Sequence, residues 1–183
     1  KKINGSVSFV RNTFWLVDPL DGTKEFINRN GEFTVNIALI EDTVPTHGFI
    51  YVPDKKTLYY TNSIGAFKVD ENDVETHLKV NNSKENRISV RSKSHAAPEE
   101  QKVLDKYNVV DSISVGSSLK FCMVAEGKAD IYYRHGPTME WDTAAGQAVL
   151  QAAGGKVFIQ TSSEIFKYNK ESLLNTGFLC LGF

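Results

Sequence analysis

Two carboxylates, Asp18 and Asp21, stand three residues apart near the start of the sequence, directly after the apolar run 14–17. The run predicts a short buried strand that ends at the acids. Hard divalent cations such as Mg2+ prefer oxygen ligands and keep several of their waters. Asp18, Asp21 and the backbone carbonyl of Leu20 together offer the oxygen set of a magnesium site.

Gly22 and Thr23 follow the second acid and favour an anion site beside it. Residues 24–29 are predicted to form a short helix, so these two N–H groups would lie at the positive end of its dipole. A plainer interpretation stays open, since Asp-Pro and Asp-Gly are also ordinary turn signals. A partner elsewhere in the chain would decide between the two.

Asp142 is the candidate partner, placed as the N-cap of a helix predicted over residues 143–153. An isolated Asp at such a position is more simply a cap and nothing else. Three like charges brought together would, however, need cations to stabilise them, and two Mg2+ ions would do so. One face of this helix carries small side chains, which predict close packing on a sheet. They are Ala145, Ala148, Val149 and Ala152.

Two further loops offer donors for an anion. Gly116 and Ser117 join a predicted strand to a predicted helix whose first turn holds Lys120, a cation that opposes the helix dipole unless an anion is bound. A solvated lysine behind an ordinary serine cap explains this loop equally well. Ser92 and His95 follow another predicted strand, where a solvated loop is the simpler interpretation of the residues alone.

Composition limits the function classes. A chain of 183 residues suffices for one domain or two small lobes, and a net charge of −1 provides no general basic field for nucleic acid. Cys122 and Cys180 show neither metal-ligand spacing nor a disulfide framework, which predicts buried thiols in a reducing cytoplasm. No apolar stretch is long enough to span a membrane. The chain opens on Lys1 without Met, so we expect a processed or truncated product.

Hydrophobic patterning predicts an α+β first part and an α/β second part, with a lobe boundary near residues 81–86. The lobes would cover residues 1–85, with the metal site, and 86–183, with the ligand-binding loops. The first part reads as an antiparallel sheet and the second as alternating strands and helices. Predicted strands cover residues 7–10, 14–17, 33–40, 47–52, 57–61, 66–69, 88–90, 112–115 and 129–133, with two more near Val157 and Phe178. Helices are predicted over residues 98–107 and 118–126 as well as 143–153.

Three motifs carry a family resemblance over nearly all of the chain: WLVDPLDGTKEF at 15–26, GSSLK at 116–120 and WDTAAG at 141–146. Together they resemble the Mg2+-dependent, lithium-sensitive phosphatases of the inositol monophosphatase superfamily. Within it they are most similar to the bacterial CysQ-type 3'(2'),5'-bisphosphate nucleotidases of sulfur metabolism. The resemblance implies a layered α/β sandwich of the inositol monophosphatase and fructose-1,6-bisphosphatase type.

Two details favour the nucleotidase branch. Lys24-Glu25-Phe26 stands where the inositol enzymes usually have a variable residue followed by Asn-Phe, and Lys120 stands where they usually have an apolar residue. Cations suit a substrate with a second phosphate. The resemblance implies hydrolysis of 3'-phosphoadenosine 5'-phosphate to AMP and phosphate. Two alternatives stay open: an inositol monophosphatase or sugar-bisphosphate phosphatase, and an inactive fragment that binds metal or nucleotide.

The resemblance also implies roles for individual residues. Asp18, the Leu20 carbonyl, Asp21 and Asp142 match metal ligands, for two or more Mg2+ ions. Gly22 and Thr23 match groups that hold the phosphate to be cleaved, and the Thr23 hydroxyl also orients the attacking water. The catalytic set is thus Asp18, Asp21, Thr23 and Asp142. Positions that match nucleotide-binding groups are Ser92, His95, Gly116, Ser117 and Lys120, with Arg134 a weaker match.

One departure from the family pattern concerns the start of the chain. Family members have an N-terminal helical region with further acidic metal ligands, and this sequence contains no counterpart. We therefore expect a fold without that helical layer, and whether the chain is active by itself stays open. The expected partner is a small bisphosphate nucleotide rather than nucleic acid. Monomer and homodimer stay open, and weak membrane association is not visible in the sequence.

Overall fold

The first part of the chain forms an antiparallel sheet of six strands in the computed structural model, which describes residues 12–92 and 98–183. The strands follow one another in chain order across the sheet, as the alternating pattern predicted. The predicted strand over residues 7–10 lies outside the described residues. The strands are β1 (Thr13–Asp21), β2 (Thr34–Glu41), β3 (Val44–Val52), β4 (Thr57–Asn62), β5 (Gly65–Val69) and β6 (Glu75–His77). A short helix, α1 (Thr23–Ile27), follows β1, and a 3-10 turn (Pro53–Lys55) follows β3.

The prediction of a buried strand over residues 14–17 is wrong in its burial. Strand β1 lies at one end of the described sheet, where Trp15 is 56% exposed and Val17 is 50% exposed. Phe14 and Leu16 point the other way and pack against the core. Successive side chains of a strand point to opposite faces, so only alternate residues of the apolar run can reach the core. A run of four apolar residues does not reveal this difference.

The second part forms a mixed five-stranded sheet, which confirms the predicted α/β pattern. Strand β7 (Arg87–Arg91) pairs in parallel with β8 (Val109–Ser114) and β9 (Ile131–Arg134). Parallel neighbours need crossover connections, which here contain α2 (Pro98–Asp105) and α3 (Leu119–Ala125). A short strand pair, β10 (Thr138–Met139) with β12 (Leu174–Asn175), stands apart from both sheets. The remaining elements are α4 (Glu140–Ala152), β11 (Lys156–Ile159) and β13 (Phe178–Leu181), and the sheet order is β11-β13-β9-β7-β8.

The elements stack in layers, as expected for a layered α/β sandwich. Helices α3 and α4 lie between the two sheets, and α4 contacts strands of the first sheet and β11 of the second. Helix α2 packs on the other face of the second sheet, where Val103 and Leu104 meet Ile131. One core cluster joins residues of both parts of the chain, such as Ile50 and Val149. The division into lobes at residues 81–86 stays a prediction.

Helix α4 approaches the first sheet unusually closely at Gly48. A Cβ atom on Gly48 would lie 2.6 Å from the carbonyl oxygen of Ala145 and 2.8 Å from the Cβ of Ala148. The predicted close packing is therefore confirmed for Ala145 and Ala148, and Val149 is also fully buried. It is wrong for Ala152, which is exposed in the last turn of the helix.

This contact predicts the effect of a methyl group. Gly48→Ala should lower the free energy of unfolding by about 1–3 kcal/mol, because the added carbon overpacks the helix-sheet contact. Urea denaturation at neutral pH measures the change. Gly136→Ala is the matched control, since its added carbon would come no nearer than 3.7 Å to the atoms around it. Equal unfolding midpoints for the two variants would contradict the packing argument.

Candidate active site

Asp18 and Asp21 lie at the end of β1, where the pairing with β2 shifts register between them. The Leu20 N–H donates a hydrogen bond of 3.1 Å to Asp18 Oδ1, which ties the Asp18 carboxylate to the turn. Gly22 then adopts φ +86°, a left-handed conformation that favours glycine, and the chain enters α1 at Thr23. The register shift and the glycine thus direct both acids to one end of the sheet.

Asp142 does not occupy the N-cap, so that prediction is wrong. Helix α4 begins at Glu140, and Asp142 is its third residue. Its carboxylate reaches back to accept a hydrogen bond of 2.7 Å from the Met139 N–H. An acid in the first turn can satisfy a free N–H at the helix start in this way and also suits the helix dipole. The carboxylate is therefore held firmly by the helix that carries it.

The structure brings the carboxyl groups of Asp18 and Asp142 close enough for each to shift the pKa of the other. The pKa of Asp18 is raised to about 6. Burial is the largest cause, and the neighbouring charges of Asp21 and Asp142 add to it. Burial also raises the pKa of Asp142. Acids in such surroundings retain a proton more readily, and a cation placed between them would stabilise the ionised pair instead.

Asp21 is oriented by donors from both parts of the chain. Its Oδ2 atom accepts a hydrogen bond of 2.6 Å from the Ser118 N–H, and longer bonds of 3.4 Å from Thr34 Oγ1 and Asn36 Nδ2. Burial raises the pKa of Asp21, whereas the nearby Lys120 ammonium and these donors lower it. The Asp21 carboxylate therefore lies in a dense polar network between the first sheet and the start of α3.

Thr34, Asn36 and Ser118 are supporting residues that the sequence reasoning missed. All three are buried, and the Ser118 hydroxyl makes 2.8 Å hydrogen bonds with Thr34 Oγ1 and Asn36 Oδ1. Ser118 does not cap α3 with its side chain, so the ordinary-cap interpretation of this residue is wrong. A signal was present, since the inward face of β2 begins with the polar residues Thr34 and Asn36 before it continues with Ala38 and Ile40.

The three acids fit a divalent cation chemically, but they do not form one compact cluster. Within residues 12–92 and 98–183, no group of three or more His, Cys, Asp or Glu side chains has the arrangement of a metal site. Asp18 and Asp142 meet as a pair, while Asp21 is turned toward the Ser118 N–H. Carboxylate oxygens and a surplus of buried negative charge suit Mg2+. The ligand set of Asp18, Leu20, Asp21 and Asp142 stays a prediction.

A polar cavity of about 190 Å³ opens beside the acids. Most of the predicted ligand-binding positions line it, whereas Asp18, Leu20, Thr23 and Gly116 do not. His95 lies outside the described residues. The predicted residues in the wall of this cavity are Asp21, Gly22, Ser92, Ser117, Lys120, Arg134 and Asp142. The other lining residues are Lys24, Glu25, Ser118, Phe121, Tyr132, Pro137, Thr138, Thr143 and Phe178.

The cations in the wall of the cavity are Lys24, Lys120 and Arg134. Lys120 is only 5% exposed, so the alternative of a solvated lysine is wrong. Its Nζ donates to the carbonyls of Ser117 at 2.8 Å and Val115 at 3.2 Å. Burial lowers the pKa of Lys120 to about 8, with Arg134 adding to the effect and Asp21 opposing it. The buried Nε of Arg134 has no hydrogen-bond partner within the described part of the chain.

The loop at Gly116 is partly occupied by the protein itself. The Gly116 N–H donates a 2.7 Å hydrogen bond to Glu32 Oε2, and the Ser117 hydroxyl donates a 2.5 Å bond to the Glu32 carbonyl. A Cβ on Gly116 would lie 2.4 Å from Glu25 Cγ. One N–H of the predicted anion cradle is thus taken by a carboxylate of the first part of the chain, and the glycine permits the close approach.

Comparison with known proteins supports one family. The sequence profile of the inositol monophosphatase family matches residues 2–179. The chain is 47% identical over 165 residues to the 3'(2'),5'-bisphosphate nucleotidase CysQ of Salmonella typhimurium and equally to that of Escherichia coli K12. Each match covers 90% of this chain and 66% of the relative. The chain therefore spans slightly less than two thirds of the length of these relatives.

Solved structures show the same similarity. CysQ from Bacteroides thetaiotaomicron superposes with a TM-score of 0.84 at 46% identity, over 93% of this chain and 70% of that protein. The inositol monophosphatase from Anabaena superposes with a TM-score of 0.74 at 26% identity, over 94% and 68% of the respective chains. No helix in the described residues is both long and apolar enough to cross a membrane.

Because the pKa of Asp18 is raised, replacing this residue by a neutral one should stabilise the fold by an amount that depends on pH. An acid whose pKa is higher in the folded protein adds stability at low pH and loses it as the pH rises toward that pKa, here about 6. Without metal, Asp18→Asn should therefore raise the free energy of unfolding at pH 7 by roughly 1–2 kcal/mol. Urea denaturation with a chelator measures this. The gain should shrink near pH 4.5, and a loss of stability at both pH values would contradict the assignment.

Proposed function

Because this chain belongs to the inositol monophosphatase family, we propose that it acts as a 3'(2'),5'-bisphosphate nucleotidase. It would hydrolyse the 3'-phosphate of 3'-phosphoadenosine 5'-phosphate, giving AMP and phosphate. The high identity to the CysQ relatives supports this branch over the inositol monophosphatases. The activity, the substrate and the partner are proposed for the whole protein.

The observation that carries the proposal is that the wall of the cavity holds charges of both signs. The acids include Asp21 and Asp142, and the cations include Lys120 and Arg134. A substrate with two phosphates needs two receptors, one where metal ions neutralise the reacting group and one that binds the other phosphate directly. Arg134 offers for the second task a buried Nε that has no hydrogen-bond partner among the described residues.

Metal binding falls to Asp18, the Leu20 carbonyl, Asp21 and Asp142, for two or more Mg2+ ions. When bound, Mg2+ would lower the pKa of water and neutralise phosphoryl charge. The protein's part is to fix the carboxylates, which the donors from Leu20, Ser118 and Met139 already do. Preset donors of this kind hold the acids in one geometry despite their mutual repulsion.

Substrate binding involves the backbone N–H groups of Gly22 and Thr23, which would hold the phosphate to be cleaved, while the Thr23 hydroxyl orients the attacking water. Ser92, His95, Gly116 and Ser117 would contact the nucleotide. The Gly116 N–H is engaged by Glu32 and the missing side chain of Gly116 makes room for Glu25, so Gly116 would act by letting these two acids approach the loop.

We also propose where the protein is located and what it binds. Two buried free cysteines, Cys122 and Cys180, support a cytoplasmic protein, because reduced thiols persist there. The bisphosphate nucleotide is the proposed partner, and the net charge of −1 argues against a bulk nucleic acid partner.

Removing a metal ligand tests the reaction. Asp142→Asn should reduce phosphate release from 3'-phosphoadenosine 5'-phosphate at saturating Mg2+ by roughly 100-fold or more, since a neutral amide binds the cation poorly. Asp111→Asn is the matched control, because Asp111 is exposed on β8 and, among the described residues, accepts a hydrogen bond only from the adjacent Ser112 N–H. Parental activity in Asp142→Asn would overturn the metal assignment.

Substrate comparison separates the alternatives in the same assay. Faster phosphate release from inositol monophosphate or a sugar bisphosphate than from the nucleotide would favour another member of the family. Calorimetric binding of AMP without turnover of any of these substrates would favour a binding fragment.

A substitution of Arg134 tests whether this residue binds the second phosphate of the substrate. Arg134→Gln should lower kcat/KM for the bisphosphate about 10- to 100-fold, the range expected for losing a charged hydrogen bond. Hydrolysis of 3'-AMP, which lacks the 5'-phosphate, should change little and serves as the internal control. An equal loss with both substrates would show that Arg134 does not discriminate them.

A further inference from the structure

An ion pair between the buried carboxylate of Glu140 and the partly exposed ammonium of Lys170 lies at the start of α4, on residues for which the proposed reaction has no use. Glu140 is completely buried, and its carboxylate accepts three hydrogen bonds from one loop. They come from the Asn169 N–H at 2.9 Å, the Lys170 N–H at 3.1 Å and the Lys170 Nζ at 2.5 Å. A buried carboxylate is costly unless it is paired in this way.

Lys170 has a second partner that extends the network. Its Nζ donates a 2.9 Å hydrogen bond to Asn175 Oδ1. Asn175 is also buried, and its Nδ2 donates to the Met139 carbonyl at 2.9 Å and to Thr143 Oγ1 at 3.0 Å. One ammonium therefore connects two side chains that both attach to the first turn of α4.

The first turn of α4 is the part of the helix that supplies Asp142. Met139 is held through both of its backbone groups, since Asn175 binds its carbonyl while its N–H donates to the Asp142 carboxylate. The Glu140 N–H is fixed as well, by a 2.9 Å bond to the Leu173 carbonyl. A change at Lys170 would reach Asp142 by two routes. One runs through Glu140 along the helix backbone, and the other runs through Asn175 and Met139.

We propose that Lys170 is a positioning residue that, through Glu140 and Asn175, sets the position of Asp142 for metal binding. This inference rests on the proposed function in one respect, namely that Asp142 is a Mg2+ ligand. Lys170 itself lies outside the cavity that holds the acids. Its effect on metal is therefore indirect.

The experiment compares Mg2+ binding, measured by titration calorimetry, in the protein and its variants. Lys170→Met should weaken Mg2+ binding about 10- to 100-fold, the usual effect of losing an outer partner of a metal ligand. Lys170→Arg, which keeps the charge, should recover much of the affinity. Lys167→Met is the matched control, because Lys167 is a neighbouring exposed lysine whose side chain makes none of these contacts, and it should bind Mg2+ as the parent does.

A folding defect must be separated from a positioning defect. Circular dichroism identifies the variants that are folded at the temperature of titration. If Lys170→Met does not fold, the double variant Glu140→Gln with Lys170→Met removes both charges and avoids an unpaired buried carboxylate. It should still bind Mg2+ several-fold more weakly than the parent.

The outcomes distinguish this inference from the proposed function. Parental Mg2+ affinity in a folded Lys170→Met or in the double variant overturns the positioning role. Absence of Mg2+ binding by the parent overturns the metal assignment of the proposed function as well. Absence of bisphosphate hydrolysis with intact Mg2+ binding overturns only the substrate.

Discussion

Repulsion among buried carboxylates is the constraint around which much of this structure is organised. Asp18, Asp21 and Asp142 come from two distant parts of the chain, and burial raises the pKa of each. Bringing them together costs free energy that packing elsewhere must offset. The fold meets this cost with backbone donors placed at each acid, from Leu20, Ser118 and Met139.

Close packing supplies the rigidity that these donors require. Helix α4 lies between two sheets and approaches β3 at Gly48, where there is no room for a side chain. Gly146 approaches the ring of Phe121 on α3 in the same way, since an added Cβ would lie 2.4 Å from it. Small residues at both contacts bring the first turn of α4 and the start of α3 toward the end of β1. The acids therefore meet because small residues at these contacts let α4 come close to its neighbours.

Sequence patterns predicted most of the fold and the main site residues, for identifiable reasons. The turn signals and alternation around residues 33–69 are local, and the antiparallel sheet follows from them. The exposure of Trp15 was missed, because burial depends on which strand lies at the end of the sheet and not on the local run. The helix start at Glu140 was missed for a similar reason, since an ion pair between the buried Glu140 carboxylate and Lys170, thirty residues later, holds that turn.

Site details divide along the same line. The acids and the glycine loop are visible in short motifs whose spacing carries their chemistry. The hydrogen bonds of Asp21 to Thr34, Asn36 and Ser118 depend on contacts between distant segments, and no short motif shows them. The position of Lys120 at the helix start could be predicted, but its burial could not. Its side chain is held by carbonyls of the preceding loop, and the sequence does not show these contacts.

The hydrogen bond from the Ser118 N–H to Asp21 has a thermodynamic consequence. It joins a carboxylate on the first sheet to the loop at residues 116–118, so neither can shift without changing the free energy of the other. Any ligand that draws the carboxylate toward itself alters the loop, and any ligand that moves the loop alters the carboxylate. Coupling of this kind is reciprocal: whatever factor one ligand adds to the affinity of the second, the second adds to the affinity of the first.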